Sequence, residues 1–238
     1  MRYAIGEIVL VVIGILIALS INNWNENRQN RQKETILLNQ LKQEFMAYQE
    51  QLDDKIDQRI NIVHSANTLL KFIDNGSTVN SDSIVYHLQR TLFIPTFNAN
   101  SNDFFAARDM SLLQNDSLRA LLAIWPGQVD QLIEEELQWV TYRDNQYVPF
   151  ITTHFQVRNL YNSVQVDFDM MKTIFLDKTE SFKSRIGNSK KNVDFKGLMT
   201  HGDFEDHLGF MIMINNISNI QSYTLAKHID NILQQINY

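Results

Sequence analysis

The side chains that could do chemistry are concentrated in the segment THGDFEDH, residues 200–207. His201, Asp203, Asp206 and His207 are of types that bind divalent metals, and Asp203 and His207 stand four residues apart, as neighbours on a helix would. The same residues also suit the acidic first turn of a helix, where carboxylates complement the helix dipole and His207 pairs with Asp203. The second interpretation needs no ligand, so we expect no metal and no cofactor.

Patterns typical of enzymes are not found elsewhere in the sequence. It has no GxSxG, HExxH, P-loop or GxGxxG arrangement, and it has no cysteine to act as a nucleophile or thiolate ligand. The run Glu134, Glu135 and Glu136 has no histidine at ligand spacing, and we interpret it as a solvated helix face. The net charge of −6 opposes nucleic-acid binding. We therefore expect a protein that is not an enzyme and has no nucleic-acid partner.

The N-terminal stretch is strongly apolar. From Tyr3 to Ile21 the only charged side chain is Glu7. As a helix this stretch covers about 28 Å, close to the ~30 Å of a bilayer core. Trp24 follows, at a place that suits a membrane interface. We predict a transmembrane anchor at residues 1–24; the alternative, a signal peptide cleaved after Ala18-Leu19-Ser20, has a weak n-region and an acid inside its apolar block.

One stripe of this helix combines an acid with small residues. Glu7, Gly14 and Ala18 recur at helical spacing, and Gly14-xxx-Ala18 is a pair that lets two helix backbones approach closely. A partner helix would shield the Glu7 carboxylate from lipid, where a charge is costly. Two alternatives stay open: Glu7 reaches headgroup water, or it carries protons for a partner in an energised membrane complex.

The same residues carry a family resemblance. The segment YAIGEIVLVVIGILIALSINNWNENR resembles the N-terminal signature of a large family of uncharacterised single-span membrane proteins from Bacteroidetes-type bacteria. The segment NDFFAARDMSLLQNDSLRALLAIW, residues 102–125, is similar to the middle of that family. The resemblance implies a domain of unknown function without a catalytic motif.

The resemblance also bears on orientation. Arg28, Arg31 and Lys33 follow the apolar stretch and only Arg2 precedes it, which by itself favours a cytoplasmic C-terminal domain. Members of the family usually carry a longer basic tail before the span, which implies the opposite orientation. We follow the family and expect an inner-membrane protein with a single span and a periplasmic domain.

The remaining sequence predicts an all-α bundle at residues 25–238. Neither Pro nor Gly occurs between Asn22 and Asn75, and apolar residues recur there every three or four positions, as in one long amphipathic helix that continues the anchor. Shorter helices should follow and pack antiparallel to their sequence neighbours. The apolar stripe of the long helix comprises Leu38, Leu41, Phe45, Tyr48, Leu52, Ile56, Ile60, Val63, Leu70 and Ile73. Short helices are predicted at Ile84–Phe93 and Phe104–Leu113, and a cap is predicted at 115–117. The helix after this cap has a kink or a new start at Pro126-Gly127 and continues to about Tyr161. The segment Val164–Phe175 begins with alternating apolar residues, and a last helix runs from a cap at Asp203 to about Ile236.

Three polar residues interrupt the apolar face of the last helix. Asn215, Ser218 and Ser222 share the face of Phe204, Leu208 and Leu225. They could line a polar pocket, satisfy one another in a layer that fixes helix register, or lie at the surface because the buried face rotates to Ile214, Ile217 and Ile220.

Together these features favour a membrane-anchored structural or interaction protein. Its bundle would bind a protein partner or a second copy of itself, beside a lipid bilayer. The alternatives are a bundle that senses a small ligand at the polar pocket and an accessory subunit that uses Glu7.

Overall fold

The structure is a computed structural model that describes residues 2–76, 80–99, 108–164 and 186–237. Within these ranges the chain forms helices and no strand, which confirms the all-α fold class. The helices are α1 (Arg2–Asn75), α2 (Ser81–Arg90), a 3-10 turn (Met110–Leu112), α3 (Asp116–Tyr142), a π turn (Arg143–Tyr147), α4 (Val148–His154), α5 (Val157–Val164), α6 (Phe195–Met199) and α7 (Gly202–Ile236).

Three long helices form the bundle. Helix α7 is antiparallel to α1, because Lys42 bonds Asn237 at 2.8 Å while Arg59, further along α1, bonds Ser222 at 2.8 Å. Helix α3 is parallel to α1, because Phe45 packs on Trp125 and the later residue Arg59 meets Glu136. Helix α2 lies between α1 and α3 in the sequence, so this parallel pair does not test the prediction that sequence neighbours pack antiparallel.

Residues 91–99, here named the return segment, have neither helix nor strand and explain the parallel pair. It carries the chain back along the groove between α1 and α3. The Phe93 carbonyl accepts a hydrogen bond from Trp139 Nε1 at 2.9 Å, and the Asn98 amide donates to Gln51 Oε1 at 2.8 Å. Its side chains also enter the core, where Phe97 is 3% exposed.

The bundle has two apolar cores, one on each side of its middle. The proximal core surrounds Leu41, Phe45 and Trp125, and the distal core surrounds Leu69, Tyr147 and Phe204. The α1 stripe was predicted correctly at Leu41, Phe45, Leu52 and Ile56. It was wrong at Ile60, which is 46% exposed, because Arg59 takes the inward position.

The observed helix ends agree in part with those predicted from the sequence. The cap at Asn115 is confirmed, since its side chain accepts from the Leu118 amide at 3.1 Å, and the last helix ends at Ile236 as expected. The second helix follows the N-cap Asn80 and both begins and ends three residues before the predicted Ile84–Phe93. The last helix begins after His201 rather than Asp203. Residues 100–107 and 165–185 lie outside the described residues, and with them the start of the predicted helix Phe104–Leu113 and nearly all of the segment Val164–Phe175. In the described part of the first, residues 108–113, the prediction of an α-helix is wrong, because only the 3-10 turn forms there.

The two internal prolines act differently. Helix α3 continues through Pro126 without a new start. Before Pro149 the helix widens into the π turn, where the Val148 amide bonds the Arg143 carbonyl. Proline has no N–H and crowds the preceding turn, so a wider turn accommodates it. The helix then ends at His154 instead of continuing to Tyr161.

The first part of α1 projects beyond the bundle. Between residues 10 and 33 the side chains are exposed except for Asn25 and Asn30, which are half-buried. Among the side chains that the structure describes, the first buried one is Leu37. At ~1.5 Å per residue, the projecting part of α1 is about 48 Å long.

Two isoleucines on α1 give a matched test of this fold. Ile62 is 1% exposed and Ile60 is 46% exposed. We expect Ile62→Ala to lower the free energy of unfolding by about 2–5 kcal/mol, since it leaves a cavity in the distal core. Ile60→Ala should change it by less than about 0.5 kcal/mol. Urea unfolding followed by circular dichroism measures both; equal effects would contradict the helix rotation described here.

Candidate functional site

A buried ion pair lies at the middle of the bundle, between the two apolar cores. Arg59 is 1% exposed and Glu136 is 3% exposed. Arg59 Nη2 contacts Glu136 Oε1 and also donates to the Pro95 carbonyl at 3.2 Å. Its Nη1 donates to Ser222 Oγ at 2.8 Å and to Asn219 Oδ1 at 3.3 Å. We call Arg59, Glu136, Asn219 and Ser222 the polar layer.

The Glu136 carboxylate is held from two sides. Its Oε1 meets Arg59, and its Oε2 accepts a hydrogen bond from the Phe97 amide at 2.8 Å. Burial raises the pKa of Glu136 to about 7, although Arg59, the Phe97 amide and Lys55 each lower it. Burial likewise lowers the pKa of Lys55, which the nearby carboxylates of Asp54 and Glu136 partly offset. Burial also lowers the pKa of the Arg59 guanidinium, which Glu136 partly offsets. Both charges of the pair are thus carried at a desolvation cost.

Helical spacing places each member of the layer. Arg59 follows Ile56 by three residues on α1, and Glu136 stands between Leu132 and Trp139 on α3. Asn219 and Ser222 are three residues apart on α7, so they face the same way. The interpretation of Glu134–Glu136 as a solvated face was therefore wrong for Glu136. The signal that could have predicted the polar layer is a charged residue at an apolar stripe position, which occurs in both α1 and α3.

The three polar residues predicted on the last helix all lie in the core. Asn215 and Ser218 are each 2% exposed and Ser222 is 0% exposed. The alternative in which they reach the surface is wrong, because Ile220 is 63% exposed instead. Ser222 accepts a bond from Arg59, and Asn215 Nδ2 donates to the carbonyl of Met211 at 2.9 Å. These internal partners favour a layer that fixes register; the polar pocket stays a prediction.

The polar layer can select one alignment of the chain. Its acceptors for Arg59 come from α3, α7 and the return segment at once. Sliding any helix by one turn would leave a buried charge without partners, which costs several kcal/mol. A buried polar residue that sets register is the best-attested role for such a pair. The arrangement is therefore suited to positioning, since its charged groups are bound to each other.

The candidate metal ligands lie at the distal end of the bundle, near Asn75. His207 Nδ1 is 2.8 Å from the Tyr142 hydroxyl, and His201 Nδ1 is 4.0 Å from Asp203 Oδ2. Asp203 lies in the first turn of α7 and Asp206 follows in the second, and both side chains are exposed. Among the described residues, no group of three His, Cys, Asp or Glu side chains is arranged to hold a metal ion.

The predicted membrane contact residues lie on the projecting part of α1. Glu7, Gly14 and Ala18 are exposed, and a Cβ added at Gly14 would meet nothing within 4 Å. Within the described part of the chain, no helix has the length and apolar character needed to cross a membrane. The predicted transmembrane helix thus has no support from this finding. The helix–helix contact at Glu7, Gly14 and Ala18 stays a prediction.

One comparison with known proteins gives a match. Residues 7–79 match the model of a family of unknown function, DUF6090. Over this stretch, roughly a third of the chain, the protein is similar to that family, which confirms the resemblance to an uncharacterised family. No curated protein and no solved structure matches the chain.

Substitutions in the buried pair test the polar layer. Arg59→Met and Glu136→Leu should each lower the free energy of unfolding by about 3–5 kcal/mol, because each leaves the other charge buried and unpaired. The double variant should be less destabilised than either single one, since it buries no charge. Asp116→Asn, in an exposed pair with Arg119, is the control and should cost less than about 1 kcal/mol. Additive effects in this double-mutant cycle would contradict the pairing.

The raised pKa of Glu136 makes the stability of the fold depend on pH. Between its ordinary value of 4.5 and about 7, the folded chain binds a proton that the unfolded chain has released. The contribution of this group to the free energy of unfolding therefore falls as pH rises through that window. We expect the stability of the wild type relative to Glu136→Gln to decline from pH 4.5 to pH 7 and then level off. Chemical unfolding of both proteins across this range measures the difference; a rising difference would contradict it.

Proposed function

We propose that this protein is a membrane-anchored, non-enzymatic structural or interaction protein. Its bundle is held beside the inner membrane and binds a protein partner or a second copy of the chain. The observation that carries the proposal is the exposed apolar surface on the projecting part of α1. Leu10 is 74% exposed, Leu16 is 57% exposed and Ile21 is 61% exposed.

This apolar surface is suited to contact with lipid. Apolar side chains point outward on every side of the helix, since Val11, Val12, Ile13 and Ile15 are each about half exposed or more. A helix that is apolar all round is typical of a membrane span or of a buried core helix, and the bundle does not cover this one. The run from Ile8 to Leu19 carries no charge. Contiguous exposed apolar surface of this extent marks an interaction site.

The residues after the apolar run support the same placement. Trp24 is 66% exposed, and the Arg28 guanidinium lies 5.8 Å from the centre of its ring. An indole next to a long cationic side chain suits the headgroup region, where both can keep a polar end in water. Residues 22–33 then form about 18 Å of polar helix before the bundle begins.

The partners of the buried charges support the non-enzymatic part of the proposal. Arg59 and Glu136 bind each other and the surrounding backbone, so neither is offered to a substrate. The periplasmic placement of the bundle rests on the family resemblance, against the weaker charge count of Arg28, Arg31 and Lys33. In this arrangement α1 fixes where the bundle sits, and the bundle surface determines what it binds.

Vesicle flotation tests the anchor. The full chain, mixed with vesicles of phosphatidylcholine and phosphatidylglycerol, should float with the lipid and stay bound in alkaline carbonate. Leu16→Asp combined with Ile17→Asp should cut the floated fraction at least tenfold, because each carboxylate costs ~2.5–3.5 kcal/mol at the centre of a spanning helix. The measurement is the fraction of protein in the lipid layer, by immunoblot.

A matched control uses exposed isoleucines of the bundle. Ile217→Asp combined with Ile220→Asp adds the same charge to the outer face of α7, where the side chains are 37% and 63% exposed. This variant should float like the wild type. Recovery of the wild type from the aqueous fraction as a self-associated species would overturn the anchor and assign the apolar helix to a second copy of the chain.

A further inference from the structure

The polar part of α1 that follows the apolar stretch carries its charges on two different faces. Trp24, Arg28 and Arg31 follow one another at steps of four and three residues, so at ~100° per residue they lie within about 60° of each other around the helix. We call these three residues the cationic face. Glu26 and Lys33 lie on the opposite face, and all five side chains are exposed. One face is therefore aromatic and cationic, whereas the other has one charge of each sign.

The cationic face continues the apolar surface of α1 without a break. Ile17 and Ile21 precede Trp24 at the same steps of four and three residues, and they are 55% and 61% exposed. Together with Ser20 and Trp24 they line a shallow groove along the helix, and this groove ends at the indole. A molecule bound along this face would thus meet apolar side chains at one end and two guanidinium groups at the other.

The arginines of the cationic face lean back toward the apolar stretch, because side chains on an α-helix tilt toward its N-terminus. Arg28 shows this directly, since its guanidinium lies 5.8 Å from the centre of the Trp24 ring, one turn nearer the N-terminus. In the proposed anchor the hydrocarbon ends near Ile21, so the Cα atoms of Arg28 and Arg31 lie about 10 Å and about 15 Å beyond it. The headgroup layer extends about 5–8 Å beyond the hydrocarbon. The lean therefore brings the Arg28 guanidinium into this layer and the Arg31 guanidinium to its outer edge.

The positive charges of the cationic face are not paired within the described part of the chain. No carboxylate among the described residues forms an ion pair with Arg28 or Arg31. Glu34, the next acid along α1, accepts a hydrogen bond from the Gln114 amide at 2.7 Å and is thereby directed toward the bundle. Guanidinium groups donate paired hydrogen bonds to phosphate oxygens. Charge complementarity therefore favours a phosphate group with a net negative charge.

We propose that Trp24, Arg28 and Arg31 form a headgroup site that binds an anionic phospholipid in preference to a zwitterionic one. The lipid phosphate accepts hydrogen bonds from the two guanidinium groups, and one acyl chain lies along the apolar groove that ends at the indole. The opposite face has no such preference, because the charges of Glu26 and Lys33 offset each other. The inference rests on the proposed membrane anchor and adds the class of lipid that the anchor selects.

Quenching of tryptophan fluorescence by brominated lipids tests the headgroup site. The chain has three tryptophans, and Trp125 and Trp139 are 0% and 3% exposed, so lipid bromines quench chiefly Trp24. The full chain is reconstituted in vesicles of phosphatidylglycerol and phosphatidylcholine, with one of the two lipids brominated at a time. The two quenching curves give the ratio of the binding constants of these lipids beside Trp24. In the wild type this ratio should favour phosphatidylglycerol about fivefold or more, since one basic side chain at an anionic surface contributes about that factor.

Arg31→Gln and Lys33→Gln form a matched pair, because each removes one positive charge at nearly the same height on opposite faces of α1. Arg31→Gln should lower the binding ratio about fivefold, whereas Lys33→Gln should leave it within about twofold of the wild type. Equal quenching by the two lipids in the wild type would overturn the site and leave the anchor standing, and so would equal effects of the two substitutions. Absence of quenching by either brominated lipid would overturn the anchor and the site together.

Discussion

The buried guanidinium of Arg59 is the constraint on which the arrangement of the bundle depends. A charge with 1% exposure needs acceptors, and Arg59 finds them on α3, α7 and the return segment. Apolar cores tolerate repacking and modest sliding, provided that volume and pattern are kept. A buried charged pair does not tolerate such sliding, because its hydrogen bonds can form in only one alignment of the helices. The polar layer therefore fixes the register that the proximal and distal cores, taken alone, leave open.

The sequence predicted those parts of the fold that follow from local periodicity. The continuous helix to Asn75, the cap at Asn115 and the end of the last helix at Ile236 all depend on residues within a few turns of each other. The polar layer was not predicted because Glu136 was interpreted as part of a solvated acidic run and Arg59 was not considered, since charged side chains usually lie at the surface. Their positions on the stripes, Ile56-Arg59-Ile62 and Leu132-Glu136-Trp139, would have placed them inside.

The return segment could not be predicted from local periodicity, for a different physical reason. Residues 91–99 have no helical or strand period, and their role depends on bonds made by backbone groups to distant side chains. The Pro95 carbonyl serves Arg59 and the Phe97 amide serves Glu136. Main-chain donors and acceptors are present at almost every residue, so their use leaves no mark in the sequence. The parallel packing of α1 and α3 follows from this segment and was missed with it.

The interactions that hold the bundle together differ along its length. Helix α1 runs without a break from the apolar N-terminal stretch through the polar layer, and any axial shift of α1 must break the bonds of Arg59. The proximal half of the bundle is therefore fixed to the N-terminal helix. At the distal end, the π turn precedes Pro149, and α4 packs into the distal core through Phe150 and Ile151. The distal end is thus held by apolar packing, which tolerates repacking, whereas the middle of the bundle is held by charged groups that have a single alignment.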